Sequence, residues 1–292
     1  MIDSHCHLDF PEFDGDRSGI LERCFQLGIR RILIPGTQLA TMGRLCEFVA
    51  SSCTLPKSIS SSSVQPSYAH HNDNSKPVAE SANSVQLDLA LGLHPYFLDA
   101  TAKVEKVISD WQDYVTQCRE SLIAIGEIGL DKAKTNSVSL TTQINYFTEQ
   151  LRVAKLLQLP VIIHHRKTHT EIIQILKQEQ FTYGGIIHAF SGSEQVAQQY
   201  CDLGFKLGVG GTITYDRAGK TRQSIKAVTI DNLLLETDAP DMPISGKQGQ
   251  RNSPEYLPLI ASELAKLKAM AVEDVVVQTN QNYATTFLSL CC

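Results

Sequence analysis

The chain has 292 residues, 42% of them apolar and 20% charged, which suits a globular protein with a sizeable core. Its net charge is −5, so bulk electrostatic binding to duplex nucleic acid is disfavoured. An anion or a nucleic-acid end gripped through bound metal ions stays open, because such ions can be the largest local charges in a site.

The first element is a short strand at Met1-Ile2, followed at once by His5, His7 and Asp9. DGDRSGILERCFQLG (14–28) opens on acidic residues and ends at Gly28, the pattern of a helix. RRILIP (30–35) is a second strand, and a second helix is expected to follow it. The stretch 51–86 then breaks the rhythm. It is rich in Ser, Pro and Asn and cannot bury enough surface to offset its ordering entropy. It is expected to be a flexible insertion before the third strand, with His70-His71 as solvated loop histidines.

Six more apolar runs follow: LDLALGL (87–93), LIAIGEI (122–128), PVIIH (160–164), GGIIHAF (184–190), FKLGVGG (205–211) and LLLET (233–237). All are rich in Leu, Ile and Val and mostly continuous rather than alternating, as buried parallel strands are. Helical spacing recurs between them at 141–160, 169–180, 193–204 and 216–228, and two helices near 254–269 and 272–289 close the chain. Eight strand–helix units in this length predict a (β/α)8 TIM barrel, α/β in class, as one domain over 1–292. A doubly wound sheet is disfavoured, because no G-x-G-x-x-G follows the first strand.

Metal-ligand chemistry collects at the strand ends. His5 and His7 follow strand one, His94 strand three, Glu127 strand four, His164 strand five, His188 strand six, and Glu236 and Asp238 strand eight. In a barrel these ends share one face, where active sites lie. In H-x-H, an extended backbone points both imidazoles to one side, where they can hold one ion. Each group has an ordinary alternative: Glu127 a salt bridge, His164 a core histidine, Asp238 a turn residue. Together they would be polar groups meeting at one buried face without partners, which is costly unless a metal satisfies them.

The eight cysteines are scattered without a C-x-x-C pair and are expected to be free thiols in a reducing compartment. No basic leader precedes strand one, and no apolar run approaches the ~20 residues needed to span a bilayer. A cytoplasmic location, no membrane association and a monomer are expected.

The motifs IDSHCHLDF, ALGLHP, AIGEIGLD, LPVIIHHRKTH, GIIHAFSGS, KLGVGGTITY, LLLETDAPDMP and GQRNSPEYL resemble the TatD family of metal-dependent hydrolases, in its YjjV-like branch. The resemblance spans residues 2 to about 257, apart from the insertion. It implies two divalent cations (Zn, Mn, Mg, Ni, Co or Fe). His5 and His7 would hold the first and His164 and His188 the second, with Glu127 bridging them. Asp238 would complete the site and take the proton of the attacking water, so that Asp238 and Glu127 are the catalytic carboxylates. A glutamate bridge on strand four, instead of the modified lysine of many amidohydrolase barrels, favours this family over a deaminase or phosphotriesterase.

The resemblance also places His94, Arg166 and Arg251 near a bound phosphate. A rim ion pair is the alternative for Arg166, and a brace for Asp238 or its loop the alternative for Arg251. Glu236 is expected to support a ligand rather than be one. Where His165 stands, the family usually has a small residue or cysteine. Cys6 is expected to point into the barrel wall. The implied activity is hydrolysis of a phosphodiester as a 3′–5′ deoxyribonuclease, with a DNA end or another phosphodiester as partner. An amide or ester hydrolase of deacylase type, using the same ions, is the alternative, and a metal-binding protein without turnover a third reading. Tyr96, Phe97 and Tyr215 could stack on bases or could simply pack at the barrel rim.

Overall fold

A computed structural model describes residues 1–52 and 84–288. The predicted insertion lies almost wholly outside the described residues, as do His70 and His71. Eight parallel strands stand in sequence order: β1 (Ile2–Asp3), β2 (Arg31–Pro35), β3 (Gln86–Leu91), β4 (Leu122–Asp131), β5 (Val161–Arg166), β6 (Gly185–Ile187), β7 (Phe205–Val209) and β8 (Leu233–Leu235). Neighbours pair from β1 through β8. The ring is brought to closure by single hydrogen bonds between the first and last segments. Ser4 N–H donates to Leu235 O (2.9 Å), Asp238 N–H to His5 O (2.9 Å) and His7 N–H to Ala239 O (2.8 Å). This is the expected (β/α)8 barrel.

The helices are α1 (Arg17–Gln26), α2 (Met42–Ser52), α3 (Val104–Gln117), α4 (Leu140–Leu157), α5 (His169–Gln178), α6 (Glu194–Asp202), α7 (Gly219–Ala227), α8 (Leu257–Lys268) and α9 (Val272–Tyr283). α3 is not among the helices expected from the sequence, although Ile108, Trp111 and Val115 recur at three and four residues and are its buried face. Serine caps start α4 and α6: Ser139 Oγ accepts the Thr142 N–H and Ser193 Oγ the Val196 N–H, each satisfying an otherwise orphaned donor.

Two apolar clusters divide the strand residues by parity. Ile32, Ile34, Leu89, Leu91, Ile163 and Leu235 pack outward with the helices. Leu33, Ala90, Ala124, Ile162, Ile186 and Leu234 face a smaller cluster with Tyr283 and Phe287, from the end of α9 and the turn after it. That turn plugs the barrel floor. Tyr283 donates to Asp88 (2.6 Å), which also pairs with Arg31 (2.5 Å). Side chains alternate along a strand, so the floor residues set which later residues face inward: Ala90 leads to His94, Ile162 to His164 and Arg166, Ile186 to His188, and Leu234 to Glu236. β4 departs from this. Its register with β5 shifts between Ile125 and Ile128, and the extra residue lets both Ala124 and Glu127 face the lumen, as a bulge does.

One expectation is corrected. Cys46 and Cys118 are joined in a disulfide linking α2 to the residue that ends α3, whereas Cys6, Cys24 and Cys201 are free. The scattered spacing hides this pair, because only the packing of α2 against the end of α3 brings the two residues together.

Candidate metal centre

Glu127 is the hub. It is buried, and its two carboxylate oxygens face different partners. Oε2 lies 3.3 Å from His5 Nε2 and 3.4 Å from His7 Nε2. Oε1 lies 2.9 Å from His188 Nε2, 3.2 Å from His164 Nδ1 and 3.3 Å from His94 Nε2. Asp238 Oδ1 closes the first group, 3.4 Å from His5 and 3.7 Å from His7. The sets His5–His7–Asp238 and His94–Glu127–His164 each bring their donor atoms within 4.8 Å of one another.

The donors fit cations. His5 Nε2 and His7 Nε2 are 3.2 Å apart, close to the roughly 3.3 Å between two nitrogens held tetrahedrally at ~2.0–2.1 Å from one ion. Five imidazole nitrogens lie within 3.4 Å of the buried Glu127 carboxylate, a crowding of lone pairs around one anion that bound cations would satisfy. Imidazole and carboxylate together suit Zn, Mn, Co, Ni and Fe.

Electrostatics follow from this packing. Burial opposes the charge on Glu127, but His188, His94 and His5 outweigh it and hold its carboxyl well below the usual range. Burial likewise opposes charge on His188, yet Glu127 and Asp238 raise its pKa to about 10. His5, wholly buried and beside His188, is pushed far down. Burial pushes Asp238 up, which makes its carboxylate a better base.

Surrounding groups hold the candidate ligands in place. His164 turns Nδ1 to Glu127 and Nε2 to Asp131 Oδ2 (3.4 Å), the carboxylate–histidine arrangement that orients metal-binding imidazoles. Asp131 is not among the residues singled out from the sequence, although GEIGLD holds it at an inward position of β4. Glu236 sits behind His188, 3.9 Å from its Nδ1, and accepts the Ala189 N–H. A Cβ on Gly208 would meet Glu236 Oε2 at 2.2 Å, so only glycine leaves room for that carboxylate. Asp3 accepts from His5 N–H (3.2 Å), Thr237 N–H (3.0 Å) and Thr237 Oγ1 (2.6 Å), tying the two segments that carry His5 and Asp238.

His94 differs from the other imidazoles. Its Nδ1 accepts the Tyr96 N–H (3.1 Å), and burial lowers its pKa to about 4, so the ring is neutral and its one proton sits on Nε2. Nε2 is therefore a donor aimed into the site, not a free lone pair. Arg166 lines the same cleft with His94, His164 and Asp238 and is exposed. Arg251 lies elsewhere, contrary to its expected phosphate contact. Its guanidinium pairs with Asp16 (2.6 Å), donates to Glu12 O and lies over Phe13, bracing the loop after β1. His165 turns away from the candidate ligands and packs on His169, ring centroids 4.2 Å apart. Cys6 is wholly buried in the outer cluster, as expected for a side chain in the wall.

A family model described as TatD related DNase matches residues 2–288. The chain belongs to the TatD family. The metal-dependent hydrolase YjjV of Escherichia coli K12 is 36% identical over 98% of this chain and 97% of its own. A metal-dependent hydrolase of Haemophilus influenzae is 33% identical over 98% of this chain and 99% of its own. The crystal structure of the E. coli TatD homologue superposes with a TM-score of 0.81 over 99% of this chain and 98% of that one, at 35% identity. A TatD family hydrolase from Entamoeba histolytica shares the fold, at TM-score 0.79 and 18% identity over 98% and 97%. This TatD chain is thus a metal-dependent hydrolase with His, Asp and Glu groups that can bind metal. No described helix is long and apolar enough to cross a membrane.

Proposed function

We propose that the TatD-family centre hydrolyses a phosphodiester at a DNA end, releasing nucleotides from the 3′ side, and that it does so with two divalent ions. The observation that carries this reading is the division of Glu127: Oε2 faces His5 and His7 while Oε1 faces His164 and His188. In this reading His5, His7 and Asp238 would hold one ion, His164 and His188 the other, and Glu127 would serve both. Bound divalent ions supply Lewis acidity and lower the pKa of a water. Asp238 accepts the proton of the attacking water, its basicity raised by burial. His94 Nε2–H and the Arg166 guanidinium donate to the non-bridging phosphate oxygens. Two donors on one cleft suit an anion with two such oxygens, and the guanidinium fork matches phosphate geometry.

The test is a metal-stripped sample given Mn and a single-stranded oligonucleotide labelled so that 3′ release is visible. Stepwise mononucleotide release is expected, falling by at least about 100-fold in Glu127→Gln, in line with loss of electrostatic stabilisation. Turnover of small esters or amides, with every phosphodiester left intact, would move the chain to the deacylase reading.

A further inference from the structure

We infer that Tyr96 and Phe97 form a stacking shelf for the planar base of the nucleotide whose phosphodiester sits at the metal centre; this rests on the phosphodiesterase reading above. Among the described residues, these are the two aromatic side chains left exposed, Tyr96 at 51% and Phe97 at 40%. Both line the cleft over Glu127, His164 and Arg166. Exposed apolar surface concentrated at a functional cleft marks a contact site, and every base has a face for an aromatic ring to cover.

The two rings stand at a fixed distance from the chemistry. Pro95 opens the short 3-10 turn Pro95–Phe97, and the Phe97 N–H donates to His94 O (3.0 Å) while the His94 N–H donates to Thr37 O (2.9 Å). The imidazole that accepts the Tyr96 N–H reaches Glu127 with its other nitrogen. The shelf and the His94 donor are therefore one unit. Phe97 also meets Phe10 edge to face, centroids 6.3 Å apart, and Phe10 stacks on His7 at 4.6 Å. Aromatic surface thus runs unbroken from a candidate metal ligand out to solvent.

Charge points to the same occupant. The Lys134 ammonium lies 3.2 Å from the Tyr96 ring centroid, and Arg166 lines the same cleft. A planar ring beside an anion is the chemistry of a nucleotide; a simple alkyl ester or amide offers neither. Tyr215 does not share this role. Its hydroxyl is bound to Pro243 O (2.7 Å), and it lines a different hollow.

The experiment compares two dinucleotide substrates with the Mn-loaded enzyme, one with a base on the terminal residue and one with an abasic tetrahydrofuran residue there. Stacking of ~1–3 kcal/mol per base predicts a preference of roughly 5- to 150-fold in kcat/KM for the base-bearing substrate. Phe97→Ala and Phe97→Leu should bring that ratio close to one, and Phe97→Trp should retain it. A ratio near one in the native enzyme, or a ratio unchanged in Phe97→Ala whatever happens to the absolute rates, overturns the shelf. If neither substrate is cleaved, the phosphodiesterase reading fails, and binding of thymidine monophosphate, followed by calorimetry, decides the shelf separately. Binding that is lost in Phe97→Ala and kept in Phe97→Trp supports it, and no binding by the native protein overturns it.

Discussion

At the residue scale, the centre is a set of bases that hold protons until metal displaces them. In the metal-free protein burial opposes charge on His188, but Glu127 and Asp238 lift its pKa to about 10. His7 is also raised, through Glu127, and His164 through Asp131 and Glu127, both against the effect of burial. A metal ion needs the lone pair, so binding must release these protons. The sign follows: apparent metal affinity should climb as pH rises, and should go on climbing above pH 7 toward about 10, where an ordinary imidazole would have levelled off near 6.5. The same shift stabilises the metal-free fold fully below pH 6.5, and that contribution is lost as pH rises through about 10. Calorimetry of metal binding in buffers of different ionisation enthalpy reads the protons released. Release of none at pH 7.5 would show that the imidazoles are already neutral. His94 is the contrast: its lowered pKa and its bond from Tyr96 N–H leave it a neutral donor. The motif GLHP shows a histidine at a strand end but not which nitrogen carries the proton. That is set by a backbone contact formed only when the turn after it folds.

At the scale of elements, α4 shows how a helix behind the sheet fixes the site in front of it. Gln143 and Gln150 are seven residues apart, share one face and are wholly buried. Gln143 accepts the Asp131 N–H (2.8 Å) and donates to Asp131 O (3.1 Å). Gln150 accepts the Leu93 N–H (2.6 Å) and donates to Leu93 O (3.3 Å). Each clamps both backbone groups of a residue at a strand end, one of them immediately before His94. Gln150→Met keeps the volume and leaves the Leu93 N–H and C=O without these partners. It should cost about 2–4 kcal/mol in urea unfolding, from one or two unsatisfied buried groups, and a loss below about 1 kcal/mol would mean that Leu93 finds other partners. Position at strand ends made most of the site legible beforehand. His164, His188 and Glu236 stand at the ends of apolar runs, so marking the strands was enough to find them, and the structure adds that each lies an even number of residues beyond an inward floor position. Glu127 faces inward only because β4 slips its register between Ile125 and Ile128, which the apolar run LIAIGEI conceals. Arg251 was misplaced because a motif near a site does not say which way a long side chain reaches; here Asp16 and Phe13 take it.

At the scale of the molecule, the eight-fold alternation of apolar runs and helices carries the architecture, and the least legible feature is the covalent one. The Cys46–Cys118 bond spans 72 residues, including the Ser-, Pro- and Asn-rich stretch that the composition marks as unable to form a core of its own. A cross-link over so long a segment acts chiefly on the unfolded chain, whose loop entropy it removes. The chain-entropy relation gives ~4 kcal/mol for this length, and strain usually trims such values, so reduction or Cys118→Ser should lower stability by about 2–4 kcal/mol. Neither cysteine lines the cleft around Glu127, and the loss should therefore appear in the urea midpoint while hydrolysis by the folded fraction stays as it was. Thiol titration in denaturant settles the premise. Eight cysteines are present, and at least two more thiols should react after reduction than before it. Eight reacting from the start would remove the bond, and a change in turnover with no change in the midpoint would mean that α2 and α3 act on the cleft wall rather than on the unfolded state.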